Sequence, residues 1–374
     1  MSPETTEIGP EEKSRRYKEI SLYFLSLGMT GFGGPLALIA EMQKELVERR
    51  QWISLIEFRQ VFAAIKSMPG PVAFQVAQYL GTRYNGRLGG LLAATLLLLP
   101  ATVLMILLAI VYENFQQSQD MLNLMQGFQM GALVLIALAV RSLVTDYVKD
   151  VQFWTLAALS TLLLAQHLIP EVAAILMMGF GLVALEHKWK WPWSKKFEAG
   201  FSLLLLMWIC FKAGAFVFGT GLAMVPLLER DFVVENAWLT RAQFMDALAF
   251  GQLTPGPVSV TVTFVGYKLG GLGAALLATV AIFLPAAIHQ ATWFPRFVGW
   301  LTKQDWVKPF VKGATAAIVG GILVSIWALG QSADHFQLGL FALTLIIALK
   351  FRLPGWLFIL GPGLTAMVYL KIFS

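Results

Sequence analysis

Charged residues are scarce in this sequence: only 13% of its 374 residues are Asp, Glu, Lys or Arg. A soluble globular chain has about 25%. Apolar residues make up 57% and the mean hydropathy is +0.68, so the composition excludes a soluble globular protein. A bilayer hydrocarbon core about 30 Å thick takes about 20 residues per helix, which leaves room for about ten crossings with short connections.

Cysteine and histidine are also rare, and neither forms a recognisable site. The single cysteine, Cys210, excludes an internal disulfide and a cysteine-ligated metal cluster. The four histidines lie far apart without metal-ligand spacing, and the sequence contains no P-loop, HExxH, GxSxG or paired-carboxylate motif. We therefore expect no enzymatic activity, no catalytic residue, no metal, no cofactor and no direct use of ATP.

A basic interval divides the chain into two apolar series. Residues 1–19 predict a polar N-terminal leader, since no signal-peptide cleavage pattern follows them. We expect residues 20–187 to form a first repeat, residues 188–199 a basic cytoplasmic linker and residues 200–374 a second repeat. The net charge of +6 is typical of cytoplasmic loops in a protein of the cytoplasmic (inner) membrane. The expected partner is thus the lipid bilayer and not nucleic acid.

The two series are copies of each other. One constant difference in residue number, which we call the repeat offset, aligns a glycine, an FG pair, a tryptophan and a PGP tripeptide. The aligned pairs are Gly28 and Gly214, Phe32-Gly33 and Phe218-Gly219, Trp52 and Trp238, and Pro69-Gly70-Pro71 and Pro255-Gly256-Pro257. After a one-residue deletion, the shortened offset aligns Pro100 with Pro285. Glycine and proline are frequent in membrane helices, but chance composition does not hold a register of this length.

Positive charge indicates that the two copies have opposite orientations. The loop at residues 112–121 has no Lys or Arg, whereas its counterpart at residues 294–312 has four. Because basic loops face the cytoplasm, equivalent loops are expected on opposite sides. We therefore predict an all-α integral membrane protein with an inverted repeat. It would have about ten transmembrane helices, plus broken or re-entrant helices at the PGP motifs.

The PGP motifs indicate where a solute could bind. Proline removes a backbone donor and clashes with the preceding turn, so a helix stops there and a new one starts afterwards. An interrupted backbone at membrane depth is tolerated only inside protein or beside a water-filled cavity. The restarting helices would point amides and positive dipole ends into that cavity, which favours an anion. A proline kink that only shapes packing is the alternative, and the duplication of the break argues against it.

Two lysines near the breaks are expected to supply charge. A lysine at the centre of a bilayer helix costs about 2.5–3.5 kcal/mol, which favours a cavity position for Lys66 and Lys212, although snorkelling to an interface is the alternative. Glu57 and Asp246 lie at segment edges, where solvation is sufficient to account for them. The candidate substrate-binding residues are Gly33, Gly34, Lys66, Pro69, Gly70, Pro71, Gln75, Lys212, Gly219, Gln252, Thr254, Pro255, Gly256, Pro257, Ser259 and Thr261.

Five motifs lie between residues 32 and 285: FGGP at 32–35, Trp52, PGP at 69–71, GQLTPGPVSVTVTFVGY at 251–267 and FLP at 283–285. In these motifs the sequence resembles the chromate ion transporter family, in its two-domain, long-chain form. The resemblance implies an integral membrane carrier that exports chromate, a tetrahedral dianion similar to sulfate. It also implies that an ion or voltage gradient drives transport and that the protein gives resistance to chromate.

The sequence departs from the family pattern at two positions in the first half. The family has a histidine soon after FGGP, where this chain reads Leu36-Ala37-Leu38-Ile39. It has a glutamine before the first PGP, where this chain has Lys66, whereas the second-half glutamine, Gln252, is retained. An additional cation is compatible with anion binding.

The expected mechanism is alternating access. An oxyanion would enter from the cytoplasm, bind between the restarting helices and leave after the repeats rock against each other. An inside-negative potential favours this direction. An anion channel and a carrier of another oxyanion such as sulfate are the alternatives. The sequence leaves the coupled ion and the oligomeric state open, a homodimer included.

Overall fold

The computed structural model describes residues 9–32, 34–66, 68–166, 168–184, 201–218, 220–292, 294, 304–331, 333–351 and 353–373. Within these ranges the chain is helical and contains no β-strand. Four of the described helices are long and apolar enough to cross a membrane: Val72–Phe115, Gln119–Val144, Val258–Ala291 and Val307–Gly330. Several shorter apolar helices accompany them. The predicted class, an all-α multi-pass membrane protein, is confirmed.

The described part of the first half contains seven α-helices. These are α1 (Pro10–Thr30), α2 (Gly34–Met42), α3 (Leu55–Lys66), α4 (Val72–Phe115), α5 (Gln119–Val144), α6 (Val151–Ala165) and α7 (Glu171–Ala184). A π turn, Gln43–Arg49, follows α2. Helix α1 begins at Pro10, where proline fits the first helical position, and so includes residues 10–19 of the expected leader.

The described part of the second half repeats this order. It contains α8 (Leu203–Ala215), α9 (Val225–Glu229), α10 (Arg241–Leu253), α11 (Thr261–Ala291), α12 (Val307–Gly330), α13 (His335–Lys350) and α14 (Leu357–Phe373). Short 3₁₀ turns at Gly221–Met224 and Val258–Val260 precede α9 and α11, and a π turn at Arg230–Glu235 follows α9. The expected linker at residues 188–199 lies outside the described residues.

Helix α4 folds back on itself at Asn85 and Gly86. Asn85 leaves helical geometry, and Gly86 has φ +72°, which favours glycine. A Cβ on Gly81 would lie 2.5 Å from the carbonyl oxygen of Gly89, so the two arms are in close contact. The second arm, from residue 87 to 115, is therefore the long apolar helix, and the first arm is a short helix beside it.

Local backbone features recur in the second half at the spacing that the sequence predicts. Helix α11 folds back at Gly270 and Gly271, which the shortened offset aligns with the fold in α4, and Gly271 has φ +68°. The two described non-glycine residues with positive φ, Gln51 and Ala237, are related by the repeat offset, and each follows a π turn. The internal duplication is therefore present in the backbone as well as in the sequence.

The first helix of each half packs on the long helix of the same half. A Cβ on Gly28 would lie 2.7 Å from the carbonyl oxygen of Leu97, and a Cβ on Gly214 would overlap the carbonyl oxygen of Ile282. Small residues let helix backbones approach closely in membranes. The aligned glycines Gly28 and Gly214 therefore allow an equivalent close helix crossing in each half.

Helix α3 and the short arm of α4 also fold back on each other. The Tyr79 hydroxyl donates a hydrogen bond to Glu57 Oε1 (2.9 Å), and Arg83 Nε donates to the same oxygen (2.7 Å). Glu57 lies near the start of α3, whereas Tyr79 and Arg83 lie near the end of the short arm. The first PGP turn, residues 69–71, is therefore the tip of a helical hairpin. Glu57, expected to be solvated, is held by these two partners instead.

Candidate functional site

The two PGP turns, residues 69–71 and residues 255–257, are bound reciprocally to the opposite halves. The Gly70 amide donates to the Val217 carbonyl (2.6 Å), and the Gly256 amide donates to the Gly31 carbonyl (3.0 Å). The two donors are related by the repeat offset, and so are the two acceptors. Each turn therefore binds the non-helical residues that directly follow the first helix of the other half.

Glycine is required at the tip of each turn for two reasons. Gly70 has φ +122° and Gly256 has φ +106°, which side chains rarely adopt. A Cβ on Gly70 would lie 3.1 Å from the Ala286 Cβ, and a Cβ on Gly256 would lie 3.2 Å from the Ala101 Cβ. Both alanines belong to the long helix of the opposite half. Both PGP turns thus lie at one junction shared by the two halves.

Amide and imidazole groups surround the first PGP turn. Gln75 Nε2 donates to the Pro69 carbonyl (2.9 Å), and its side chain occupies the space above Gly70. His289 Nε2 lies 3.2 Å from the same carbonyl, which only accepts, so this nitrogen donates. Gln290 Nε2 lies 3.4 Å from Gln75 Oε1. Predicted residues Pro69, Gly70 and Gln75 are thus brought together with His289 and Gln290 from the second half.

Several polar atoms beside the turns are buried without a hydrogen-bond partner among the described residues. Near the first turn these are Oε1 of Gln78 and Oε1 of Gln290; near the second they are Nε2 of Gln252 and Oγ of Ser259. A buried polar atom left unpaired costs about 1–3 kcal/mol. Such atoms are therefore candidates to contact water or a polar solute.

Two of the predicted hydroxyls at the second turn donate to nearby backbone carbonyls, and one has no hydrogen-bond partner among the described residues. Thr254 Oγ1 donates to the Gly251 carbonyl (3.0 Å), and Thr261 Oγ1 donates to the Val258 carbonyl (2.8 Å). These two predicted donors therefore satisfy their own backbone, as hydroxyls in membrane helices often do. Ser259 is the predicted hydroxyl of this group that keeps a buried oxygen unpaired within the described structure.

A helix starts directly after each PGP turn. Pro71 is the N-cap of α4, and no side chain caps this end. Pro257 precedes the 3₁₀ turn that leads into α11, again without a side-chain cap. The first amides of a helix have no partner within the helix and carry the positive end of its dipole. Backbone amides that could donate to a solute, as predicted from the sequence, therefore follow directly after both turns.

Each of the two predicted lysines is paired with a carboxylate. Lys66 Nζ lies 3.3 Å from Asp146 Oδ2, and both side chains are more than half exposed. Lys212 Nζ lies 2.8 Å from Asp231 Oδ1, and the Asp231 side chain is 5% exposed. Their charges are thus matched by acids 80 and 19 residues away in the sequence. The unpaired polar atoms named at the turns belong to amides and a hydroxyl.

The glycines of the FGGP motif are only partly described. Gly33 and its counterpart Gly219 lie outside the described residues. Gly34 starts α2 with φ +78°, and no described atom would lie within 4 Å of a Cβ placed on it. Its conformation favours glycine, and the space beside it is open.

A second polar feature was not anticipated from the sequence. Asp246, expected to be solvated at a segment edge, is only 4% exposed and accepts hydrogen bonds from Tyr112 and Gln129. It lines a cavity of about 660 Å³, and many of the other lining residues are glutamines. The cluster of Gln116, Gln117, Gln119, Gln126 and Gln129 was visible in the sequence and is unusual for an apolar chain. Its partner Asp246 is too distant in sequence to be assigned from spacing.

A smaller cavity of about 220 Å³ adjoins charged residues of the second half. Arg241 lines both cavities and lies 3.8 Å from Glu229, which is buried. Arg230 pairs with Glu171 at 3.2 Å and with Glu235 at 2.8 Å. The positive charges at this cavity are therefore balanced by carboxylates. No group of three or more His, Cys, Asp or Glu side chains suited to a metal occurs in the described part of the chain.

Comparison with known proteins places these features in a family. The model of the family described as "Chromate transporter" matches residues 18–185 and again residues 204–367. The probable chromate transport protein of Synechococcus elongatus is 31% identical over 94% of this chain and 95% of its own length. The chromate transport protein of Cupriavidus metallidurans is 32% identical over 98% and 97%, and that of Pseudomonas aeruginosa 31% over 84% and 81%. No solved structure matches the chain.

Proposed function

The chain belongs to the chromate transporter family, and from this premise we propose that it exports an oxyanion, chromate first, across the cytoplasmic membrane. Members of this family are transporters and not enzymes. Three relatives that match over most of their length carry chromate transport in their names. Chromate is a tetrahedral dianion, so its site must offer several donors and little negative charge.

The reciprocal bonds of Gly70 and Gly256 are the observation that carries this proposal. They hold two helix starts at one junction, where amides from both halves can approach the same solute. Transporters built from repeats place their sites at the repeat interface and move one repeat against the other. Alternating access would then break and remake these two bonds in turn.

The proposed topology is an inverted repeat with about ten crossings. The fold of α3 against the short arm of α4 supports a segment that enters and leaves on one side of the membrane. The loop at 112–121, which has no Lys or Arg, and the basic loop at 294–312 support opposite orientations of the halves. The repeats correspond to residues 20–187 and 200–374 in this proposal.

Neutral donors would contact the oxyanion first. The unpaired Nε2 of Gln252 and Oγ of Ser259, together with the amides that start α4 and α11, are suited to its oxygens. Hydrogen bonds to charged groups are about twice as strong as neutral ones. Binding would therefore recover the cost of leaving these atoms unpaired.

Lys66 and Lys212 would have different roles. The Lys66 ion pair with Asp146 is exposed and 3.3 Å long, and such pairs are worth about 0–1 kcal/mol. Lys66 can therefore exchange Asp146 for an anion at little cost. Lys212 is bound at 2.8 Å to a buried carboxylate, and we assign it a static role beside the site.

The membrane potential would drive export. A charge moved across 100 mV gains about 2.3 kcal/mol, so chromate with two charges gains about 4.6 kcal/mol on leaving an inside-negative cell. The same potential opposes uptake. Export thus needs no ATP.

Uptake of radiolabelled chromate by everted membrane vesicles tests the proposal. We expect the Lys66→Met variant to transport more slowly than the wild type, because its cation is lost. Lys371→Met is the matched control, since Lys371 also forms an exposed pair at 3.3 Å, with Asp120. Equal rates in Lys66→Met and the wild type would reject the role of Lys66.

The same vesicles test the substrate and the mechanism. Excess sulfate, molybdate or phosphate in the medium shows which oxyanion competes with chromate, and stronger displacement by sulfate would make sulfate the cargo. Rates beyond the range of a carrier, or single-channel currents, would replace the carrier with a channel. No uptake of any of these oxyanions by the wild type would overturn the proposed function.

A further inference from the structure

Asp246 is a buried carboxylate held by two neutral donors. It lies on α10, where the Tyr112 hydroxyl donates to Oδ2 (2.7 Å) and Gln129 Nε2 donates to Oδ1 (2.8 Å). Tyr112 belongs to α4 and Gln129 to α5, so helices of the first half fix a carboxylate of the second. The side chain is thus held firmly without a charge of the opposite sign.

The other buried acids of this region differ from Asp246. Asp231 is bound to Lys212 at 2.8 Å, and Glu229 lies 3.8 Å from Arg241. Asp246 takes part in none of the ion pairs formed by the described residues. An ionisable residue inside a membrane domain is costly and is usually retained for function. A carboxylate without a paired cation is also one that gains most from accepting a proton.

Few charged groups of the described helices face Asp246. From α11, the Lys268 ammonium acts electrostatically on Asp246, but its Nζ lies over the Tyr112 ring, 5.2 Å from the centroid, and donates to Gln116 Oε1. From α10 itself, Arg241 lines the same cavity. Other acids and bases on packed elements bind each other: Asp120 with Lys371, Asp231 with Lys212, and Glu235 with Arg230. Arg87 and Glu113 of α4 and Arg141 of α5 are exposed, and His289 of α11 donates to the Pro69 carbonyl.

Water can reach Asp246 through the larger cavity. Its volume of about 660 Å³ holds many water molecules, and seven of its lining residues are glutamines. These glutamines are Gln116, Gln117, Gln119, Gln126, Gln129, Gln243 and Gln337. Their amides accept and donate hydrogen bonds but do not titrate, so a proton that crosses this lining is taken up by Asp246 and not by the wall.

Asp246 and the second PGP turn are also connected through one short helix. Gln252, which has the unpaired amide nitrogen beside the turn, follows Asp246 by six residues on α10. At 1.5 Å per residue this is about 9 Å along the helix. A change in the hydrogen bonds of Asp246 can therefore shift the element that carries Gln252.

We infer that Asp246 is a proton-binding site that couples oxyanion transport to the pH gradient. The inference rests on the proposed function and deepens it. The carboxylate accepts a proton from hydronium in the cavity and releases water, and it later returns the proton to water on the other side. No bond other than the O–H bond is made or broken, and no oxidant or reductant is needed. The oxyanion and the proton cross in opposite directions.

Proteoliposomes of the purified protein separate coupling from transport. One assay measures exchange of radiolabelled chromate against internal chromate at equal pH, which requires no net proton movement. The other measures chromate uptake driven by an acidic interior, with the membrane potential clamped. At a given pH every variant is assayed with the same mixture of chromate and hydrogen chromate. Differences in uptake between variants are therefore due to the protein and not to protonation of the substrate.

We expect the Asp246→Asn variant to retain chromate exchange. The stimulation of its chromate uptake by an acidic interior should be at least tenfold smaller than in the wild type. Asp120→Asn is the matched control, because it makes the same change at an exposed carboxylate, and it should respond as the wild type does. A wild-type response in Asp246→Asn would overturn the inference, and so would loss of exchange in a folded, monodisperse variant. Failure of exchange in the wild type would instead overturn the proposed function, and the coupling with it.

Tyr112→Phe provides a second measurement if the asparagine variant does not fold. It removes one donor from the ionised carboxylate and leaves the acid in place. Hydrogen-bond donors stabilise the ionised form of a carboxylate, so Asp246 should keep its proton to a higher pH when the Tyr112 donor is removed. The midpoint of the pH profile for gradient-driven uptake should rise by about one unit, with exchange retained. An unchanged midpoint would overturn the role of Asp246.

Discussion

Alanine in place of Gly70 is expected to destabilise the protein by about 2–4 kcal/mol and to stop transport. Gly70 has φ +122°, and strain of this kind costs about 1–3 kcal/mol. The new methyl group would also lie 3.1 Å from the Ala286 Cβ and displace the Gln75 side chain. The displaced side chain loses its hydrogen bond to the Pro69 carbonyl, worth about 1 kcal/mol.

The equivalent change at Gly256 should cost less. Its φ of +106° brings a similar strain of about 1–3 kcal/mol. A Cβ there would lie 3.2 Å from the Ala101 Cβ and 3.8 Å from the Leu97 carbonyl, and no polar side chain of the described residues occupies the position. The same substitution in two copies of one tripeptide should thus differ by about 1 kcal/mol, the value of the lost hydrogen bond.

Unfolding of the purified variants in detergent, followed by tryptophan fluorescence, measures the order of stabilities. Gly271→Ala is the control for backbone strain alone, because Gly271 has φ +68° and no described atom would lie within 4 Å of its Cβ. We expect Gly70→Ala to be the least stable, then Gly256→Ala, then Gly271→Ala. The double variant Gly70→Ala with Gln75→Ala should be no less stable than Gly70→Ala, because both changes remove the same bond.

Two results would refute this reasoning. Equal losses at Gly70, Gly256 and Gly271 would mean that only backbone strain matters and that the contacts across the junction do not. Full additivity in the double variant would mean that Gln75 is not displaced by the new methyl group. Uptake of chromate by the same variants shows whether the junction is needed for transport as well as for folding.

Three further predictions concern other parts of the structure. Ser259→Ala should raise KM for chromate about tenfold in vesicle uptake and leave the unfolding temperature unchanged, because its hydroxyl has no partner among the described residues; a fall in that temperature would contradict it. Gly131→Ala should destabilise the protein by about 1–3 kcal/mol in detergent unfolding, because its Cβ would overlap the Phe358 carbonyl oxygen of α14. Lys312 donates to Asp150 and holds the pKa of that carboxyl below its usual value. The pair therefore stabilises the protein at neutral pH and ceases to do so as the pH falls through the lowered pKa, so the unfolding temperatures of Lys312→Met and the wild type should converge in acid.

Backbone features of the site could be predicted because proline and glycine act locally. The break at each PGP turn follows from the missing amide of proline and from the positive φ that Gly70 and Gly256 adopt. The repeat offset predicts that Gly31 and Val217 are equivalent positions. It does not predict that each accepts a bond from the other half, since duplication alone is equally compatible with each turn binding its own half.

The pairing of charges could not be predicted from the sequence. Asp146 is 80 residues from Lys66, and 134 residues separate Asp246 from Tyr112. Such pairs are decided by helix packing, which hydropathy and spacing do not report. A carboxylate near the end of an apolar run is expected to be solvated, yet Asp246 is buried because α4 and α5 cover that part of α10.

The crossed bonds at the centre make each half incomplete by itself. A gene cut between the repeats would produce two polypeptides, and each would have a turn whose backbone donor has lost its acceptor. Separate expression of the pieces should yield protein that cells degrade, whereas simultaneous expression should restore assembly and chromate tolerance. An ancestor with one repeat per gene would have met the same requirement by pairing with a second copy. Fusion would then have made that partnership permanent.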